Sequence, residues 1–191
     1  TEIYTLSLHD ALPIWRDREN NRNIEEDLLV DWLTRQGVSL SLSKKALFEL
    51  GKDAALGAGK YLYDANKAVY SLLRYGVKVK ESAGEQKQTV WLIDWANPEN
   101  NDFAIAEEVT IQGENKKRPD MVIYVNGIAL GVIELKRASV SVSEGIRQNL
   151  DNQTKNFIRP FFSTMQWVMA GNDTEGLRYG TIETPEKYYL T

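Results

Sequence analysis

Two hydrophobic periods divide this chain, and the change falls near Gly76. Before it, apolar residues recur at three- and four-residue intervals. Ile24, Leu28, Leu29, Trp32 and Leu33 form one stripe in 23–37, predicting a helix with Asn23 as N-cap, acids in the first turn and Gly37 past its end. The same period predicts helices over 43–56 and 61–74. After Gly76 the spacing shortens to two. The stretches "VKVKES", "TVWLID" and "FAIAEEVTIQ" read as strands, separated by the turn-rich "AGEQKQ" and "NPENN". Two apolar runs, "PDMVIYVN" and "IALGVIELK", meet at Asn126-Gly127, a strong hairpin signal. A helix is expected over 141–157, capped by Ser141 or Ser143, and "QWVMAG" and "LRYGTI" read as closing strands. The order predicts an α/β protein of the mixed α+β kind, with a central, mainly antiparallel sheet flanked by helices.

Composition narrows the chemistry. The 191 residues suffice for one domain with a real core. No apolar run approaches the roughly 18 residues of a membrane span. With no cysteine, disulfides and thiolate metal sites are excluded, which fits a reducing compartment. The net charge of −4 requires any nucleic-acid contact to be local or supplied by a partner. Residues 1–14, "TEIYTLSLHDALPI", match the in-frame translation of a sequencing-library adapter and are read as a non-native leader. The one histidine, His9, lies there, so the domain expected over 15–191 has neither His nor Cys. Its chemistry must run on carboxylates, lysine and a hard, oxygen-preferring metal. The segment "AALGAGKYL" (54–62) resembles a phosphate loop but has Ala54 and Tyr61 where glycine and a serine or threonine are required.

The candidate chemistry sits on the hairpin. Glu134 and Lys136, two apart, point to one side of a strand, and each is costly to bury unless it has a partner or a task. Asp120 opens the preceding strand. A three-residue turn, Val125-Asn126-Gly127, would place all three groups on one face, with Asp120 opposite Val132 and diagonal to Glu134, about 7–8 Å from it. A two-residue turn would put Asp120 on the other face. Two carboxylates at that spacing suit a shared divalent cation, with Lys136 placed to orient or deprotonate a water. A salt-bridged strand end is the plainer alternative.

This Pro-Asp…Glu-x-Lys arrangement resembles the PD-(D/E)xK nuclease superfamily. The run "RPDMVIYVNGIALGVIELK", the helix bearing Gln148 and the tail "FIRPFFSTMQWVMAGNDTEGLRYGTIETP" are similar to the N-terminal nuclease domain of the type I restriction enzyme R subunit, over about residues 22–191. The resemblance implies a restriction-endonuclease-like PD-(D/E)xK core. It makes Asp120 and Glu134 ligands of Mg2+ or Mn2+, together with the carbonyl of Leu135, and makes Lys136 the catalytic lysine. It also implies a helix glutamate, Glu25 or Glu26, of which helical geometry favours Glu25, and a glutamine, Gln148. The family's Gln-x-x-x-Tyr element is incomplete, since Asn152 stands in the tyrosine position. The activity implied is metal-dependent hydrolysis of double-stranded DNA in a cytoplasmic complex with methyltransferase and specificity subunits, away from any membrane. ATP would act through motor domains beyond residue 191. Lys116, Lys117, Arg118, Arg137, Arg147 and Lys155 would rim the site and contact phosphates, or be solvated charges. Free-standing nucleases of repair or defence, and a silent docking module, are the alternatives.

Overall fold

A computed structural model describes residues 22–57 and 59–191. The adapter-like stretch 1–14, with His9, lies outside the described residues. Three helices come first: α1 (Glu26–Arg35), α2 (Leu40–Ala54) and α3 (Leu62–Tyr75). α1 buries Leu29, Trp32 and Leu33, the expected stripe. Its cap is Glu25 rather than Asn23. The chain before α1 is extended, bridging Ile24 to Ile128, and Asn23 instead donates through Nδ2 to Ser163 Oγ at 3.0 Å. α2 starts three residues before the expected 43, because Ser39 Oγ accepts from the Leu42 amide and caps it there. α3 stops at Gly76, whose φ of +72° a side chain would resist.

A small sheet follows, β1 (Val77–Val79) against β2 (Gln88–Val90), antiparallel. The strand expected over "TVWLID" ends at Val90. Beyond it, the Asp94 carboxylate accepts from the amides of Ala96 and Asn97 and turns the chain.

The central sheet holds β3 (Phe103–Glu107), β4 (Met121–Val125), β5 (Ile128–Leu135), β6 (Trp167–Asn172) and β7 (Gly176–Gly180), side by side in that order. Every pairing is antiparallel except β5 with β6. That parallel pair is joined by a crossover containing α4 (Val142–Asn152), which ends five residues before the expected 157. The mixed α/β architecture with a mainly antiparallel sheet is the one expected from the sequence.

Helices α1–α3 and the small sheet share an apolar core with Val125, Ile128 and Leu130, at the turn end of the β4–β5 hairpin. A second core joins Val122, Tyr124, Val132 and Val168 to Phe161, Phe162 and Met165. A third lies under α4, where Val142 and Ile146 meet Ala170. The other face of the sheet is more open among the described residues, with Phe103, Leu135 and Trp167 about half exposed.

The hairpin turn corrects one expectation. It is a two-residue turn, Asn126-Gly127, with φ of 53° and 81°, not a three-residue one. The additional residue is Leu130 in β5, where the register shifts between Ile123–Gly131 and Tyr124–Ala129. A bulge in the strand thus does what the longer turn was expected to do, and Asp120 and Glu134 remain on one face. The turn is tied down by the buried Asn126 amide, which donates to the carbonyl of Leu92 at 2.9 Å and accepts from Asp102 N at 2.8 Å.

Candidate active site

One step beyond the last β4–β5 pair, Met121 with Ile133, the register sets Asp120 directly across from Glu134 instead of opposite Val132. The Asp120 side chain reaches the facing strand, where its Oδ2 accepts from the Leu135 amide at 2.7 Å. Glu134 is fully buried and shares its face with Ala170 on β6, the face that α4 covers. Burial, and then the negative charge of Asp120, push the Glu134 carboxyl up to about 8; Lys136 pulls the other way.

Gln148 joins the groups across the crossover. From α4 its Nε2 donates to Glu134 Oε2 at 2.7 Å, and its Oε1 accepts from Lys136 Nζ at 2.6 Å. An amide suits this place because it offers a donor to the carboxylate and an acceptor to the ammonium. Lys136 itself is held by its backbone N–H, which donates to the Gly171 carbonyl at 2.9 Å and extends the parallel pairing with β6.

Gly145 sets the height of α4 over the sheet. A Cβ there would lie 2.9 Å from the Ala170 Cβ and 3.5 Å from the Glu134 carbonyl oxygen. Only glycine permits this approach, and it brings Gln148, one turn on, down to the charged pair. Sequence reading did not single out Gly145; its one signal is its position three residues before Gln148. The start of α4 is fixed by Glu175 from the β6–β7 turn, whose Oε1 accepts from the Val142 amide at 3.0 Å.

The predicted site residues divide accordingly. Asp120, Glu134, Lys136 and Gln148 come together, with Leu135 among them. Glu25 does not join them. Its amide donates to the Gly127 carbonyl at the hairpin turn, whereas Glu134 lies seven residues along β5, about 23 Å at strand spacing. Glu26, the alternative, is exposed at the start of α1 and pairs with Arg22. The fold places the first helix against the turn end of the hairpin and the carboxylates at the other end. Asn152 is buried beside Ile158, whose amide donates to its carbonyl. The basic rim is also partly committed. Arg118 pairs with Glu108, Arg147 with Glu144 and Glu186, and Lys117 lies 3.9 Å from the Phe157 ring centroid. Lys116, Arg137 and Lys155 are exposed.

The fit to a divalent cation rests on oxygen donors. Glu134 Oε1 is buried with no hydrogen-bond partner, and the second carboxylate stands beside it. An uncompensated buried oxygen next to another negative group suits a small hard cation. Among the described residues no three His, Cys, Asp or Glu side chains cluster as a metal site, so the side-chain oxygens on offer here are those of Asp120 and Glu134.

This geometry defines a class: a mixed α/β fold of the restriction-endonuclease kind, with an acid pair and a lysine at one end of its central sheet. The chain belongs to the type I restriction enzyme R protein N-terminus family, whose sequence model matches residues 4–187. It is 40% identical over 75 residues to the type I restriction enzyme HindI endonuclease subunit of Haemophilus influenzae, covering 37% of this chain and 7% of that one. It is 31% identical over 121 residues to a Methanocaldococcus jannaschii protein named for the MjaIXP endonuclease subunit, covering 60% of this chain and 12% of the relative. The chain thus spans about a tenth of the length of the curated relatives it matches. Among the described residues no helix is long and apolar enough to cross a membrane.

Proposed function

We propose that this chain is the DNA-cleaving domain of a type I restriction R subunit, a PD-(D/E)xK nuclease that hydrolyses phosphodiester bonds of double-stranded DNA with Mg2+ or Mn2+. The observation that carries the reading is the chain of contacts Glu134–Gln148–Lys136 beside Asp120, with one Glu134 oxygen left unpartnered. A salt-bridged strand end would pair Glu134 with Lys136 directly; here an amide holds the two apart.

Asp120, Glu134 and the Leu135 carbonyl would hold the cation. When bound, it supplies Lewis acidity toward the phosphate and lowers the pKa of a water. Gln148 keeps the Lys136 ammonium on the carboxylate side of the sheet. From there Lys136 offsets charge developing on the phosphate and orients the attacking water. The cytoplasmic setting, the ATP requirement of a motor elsewhere in the polypeptide, and the methyltransferase and specificity partners belong to the same proposal.

Metal binding and chemistry are separable, and the test uses that. Asp120→Ala and Glu134→Ala each remove an oxygen ligand, so calorimetric Mn2+ binding and DNA cleavage in the reconstituted complex should fall together. Lys136→Ala leaves both carboxylates. It should keep metal binding while cleavage drops about 100-fold or more, the scale of one positioned charged or acid–base group. Equal loss of metal binding in all three variants would make Lys136 structural and overturn the assignment.

A further inference from the structure

A second charged feature lies in the helical layer, at the opposite end of the hairpin from the carboxylates. Ser41, Lys44, Lys45 and Phe48 fall at i, i+3, i+4 and i+7, one stripe of α2. They face Lys78 and Lys80, which point outward from β1 while Val77 and Val79 point inward. Together these residues line an open groove of about 510 Å3.

Its charge is neutralised only in part from within, because Glu81, which accepts from a neutral hydroxyl, keeps its negative charge. Glu49 lines the groove but pairs with Lys52 at 3.2 Å. Glu81 is hydrogen-bonded to the Ser39 hydroxyl at 2.6 Å. Lys45 donates to the carbonyls of Lys80 and Glu81 at 2.8 and 2.6 Å, which fixes α2 against the end of β1 without cancelling any charge. Lys44, Lys78 and Lys80 have no ion-pair partner among the described residues.

Two further features raise the energetic cost of this arrangement. Helices α1, α3 and α4 carry acids in their first turns, but α2 carries none and follows its first turn with two lysines. Cations near the positive end of a helix dipole are unfavourable. In addition, the register that pairs Val79 with Gln88 sets Lys80 and Lys87 at adjacent strand ends, and like charges across a strand pair repel. These exposed like charges repel one another at low salt, and a bound anion would relieve that repulsion.

We propose that this groove binds the phosphodiester backbone of duplex DNA, as an anchoring surface separate from the carboxylate site. Lysines are point charges that neutralise phosphates, and the groove has no arginine fork or side-chain amide to read base edges. Binding is therefore independent of sequence. The choice of DNA as the polyanion rests on the proposed function; the cationic groove does not depend on catalysis.

The test is fluorescence anisotropy of a labelled 30-base-pair duplex of random sequence, titrated with the 191-residue protein in EDTA from 50 to 200 mM salt. The triple variant Lys44→Gln/Lys78→Gln/Lys80→Gln removes three charges that would neutralise phosphates. Its log–log salt slope should be shallower by about 2.7, so the wild type should lose about 40-fold more affinity than the variant across that range. Melting temperature checks that the exposed substitutions leave the fold intact. The assay reads binding alone, in EDTA where no metal-dependent cleavage takes place, which separates this proposal from the catalytic one, because a failed cleavage assay would leave the result unaffected. Equal slopes for wild type and triple variant would overturn the proposal. So would absence of duplex binding by the wild type, or groove-dependent binding of polyglutamate in place of DNA.

Discussion

Glu134 pays for its position with its proton affinity. Its folded pKa, about 8, stands well above that of a free carboxyl, because burial and the neighbouring Asp120 both disfavour the charge. Between the two values the metal-free folded state binds more protons than the unfolded chain. The stabilisation is complete below the unfolded pKa and is lost as pH rises through about 8. In EDTA the melting temperature should therefore fall between pH 5 and pH 8.5, and Glu134→Gln should flatten that part of the profile. Mn2+ added at pH 8.5 should restore stability to the wild type and much less to the variant. A wild-type profile as flat as that of the variant would remove the strained carboxylate from the account. The residue types of this site were legible because Asp120, Glu134 and Lys136 interrupt apolar runs. Glu25 misled because a helical stripe shows which face is buried but not which end of a sheet that face meets.

At the scale of elements, α4 does what a loop could not: it lowers one amide onto the Glu134–Lys136 pair. That depends on Gly145. Gly145→Ala should force the helix off Ala170 and cost about 1–3 kcal/mol in urea denaturation. Ala170→Gly in the same chain should return part of the loss and part of the cleavage activity. If Gly145→Ala were neutral in both measurements, the close contact would not govern the site. The strand and helix periods read well from sequence because each element has one wet face and one dry face. The hairpin read less well. Parity required one extra residue, and alternation alone could not say whether it lay in the turn or at Leu130. Strand ends were obscure for a related reason: Leu92 and Ile93 are as buried as strand residues, yet the chain leaves β2 at Val90 and bends through them before the Asp94 turn.

Across the whole molecule, the two halves of the site are joined to the chain in different ways. Asp120 and Glu134 face each other across a hairpin closed by two residues, whereas the neighbour that fixes the backbone of Lys136, Gly171, lies beyond the crossover on β6. Short loops close in microseconds or less, while parallel pairing must wait until a long segment has been ordered. The single parallel seam of the sheet therefore sets a sequence of events in time. During refolding, pulse-labelled amide exchange should protect β4 and β5 before β6 and β7; simultaneous protection of all four would contradict this order. The acid pair, which repels itself, comes together while the chain is still partly open to water, and the lysine is fixed only when the last strands close. On that order, a chain halted before β6 would carry both carboxylates on one hairpin but lack the neighbour that fixes Lys136.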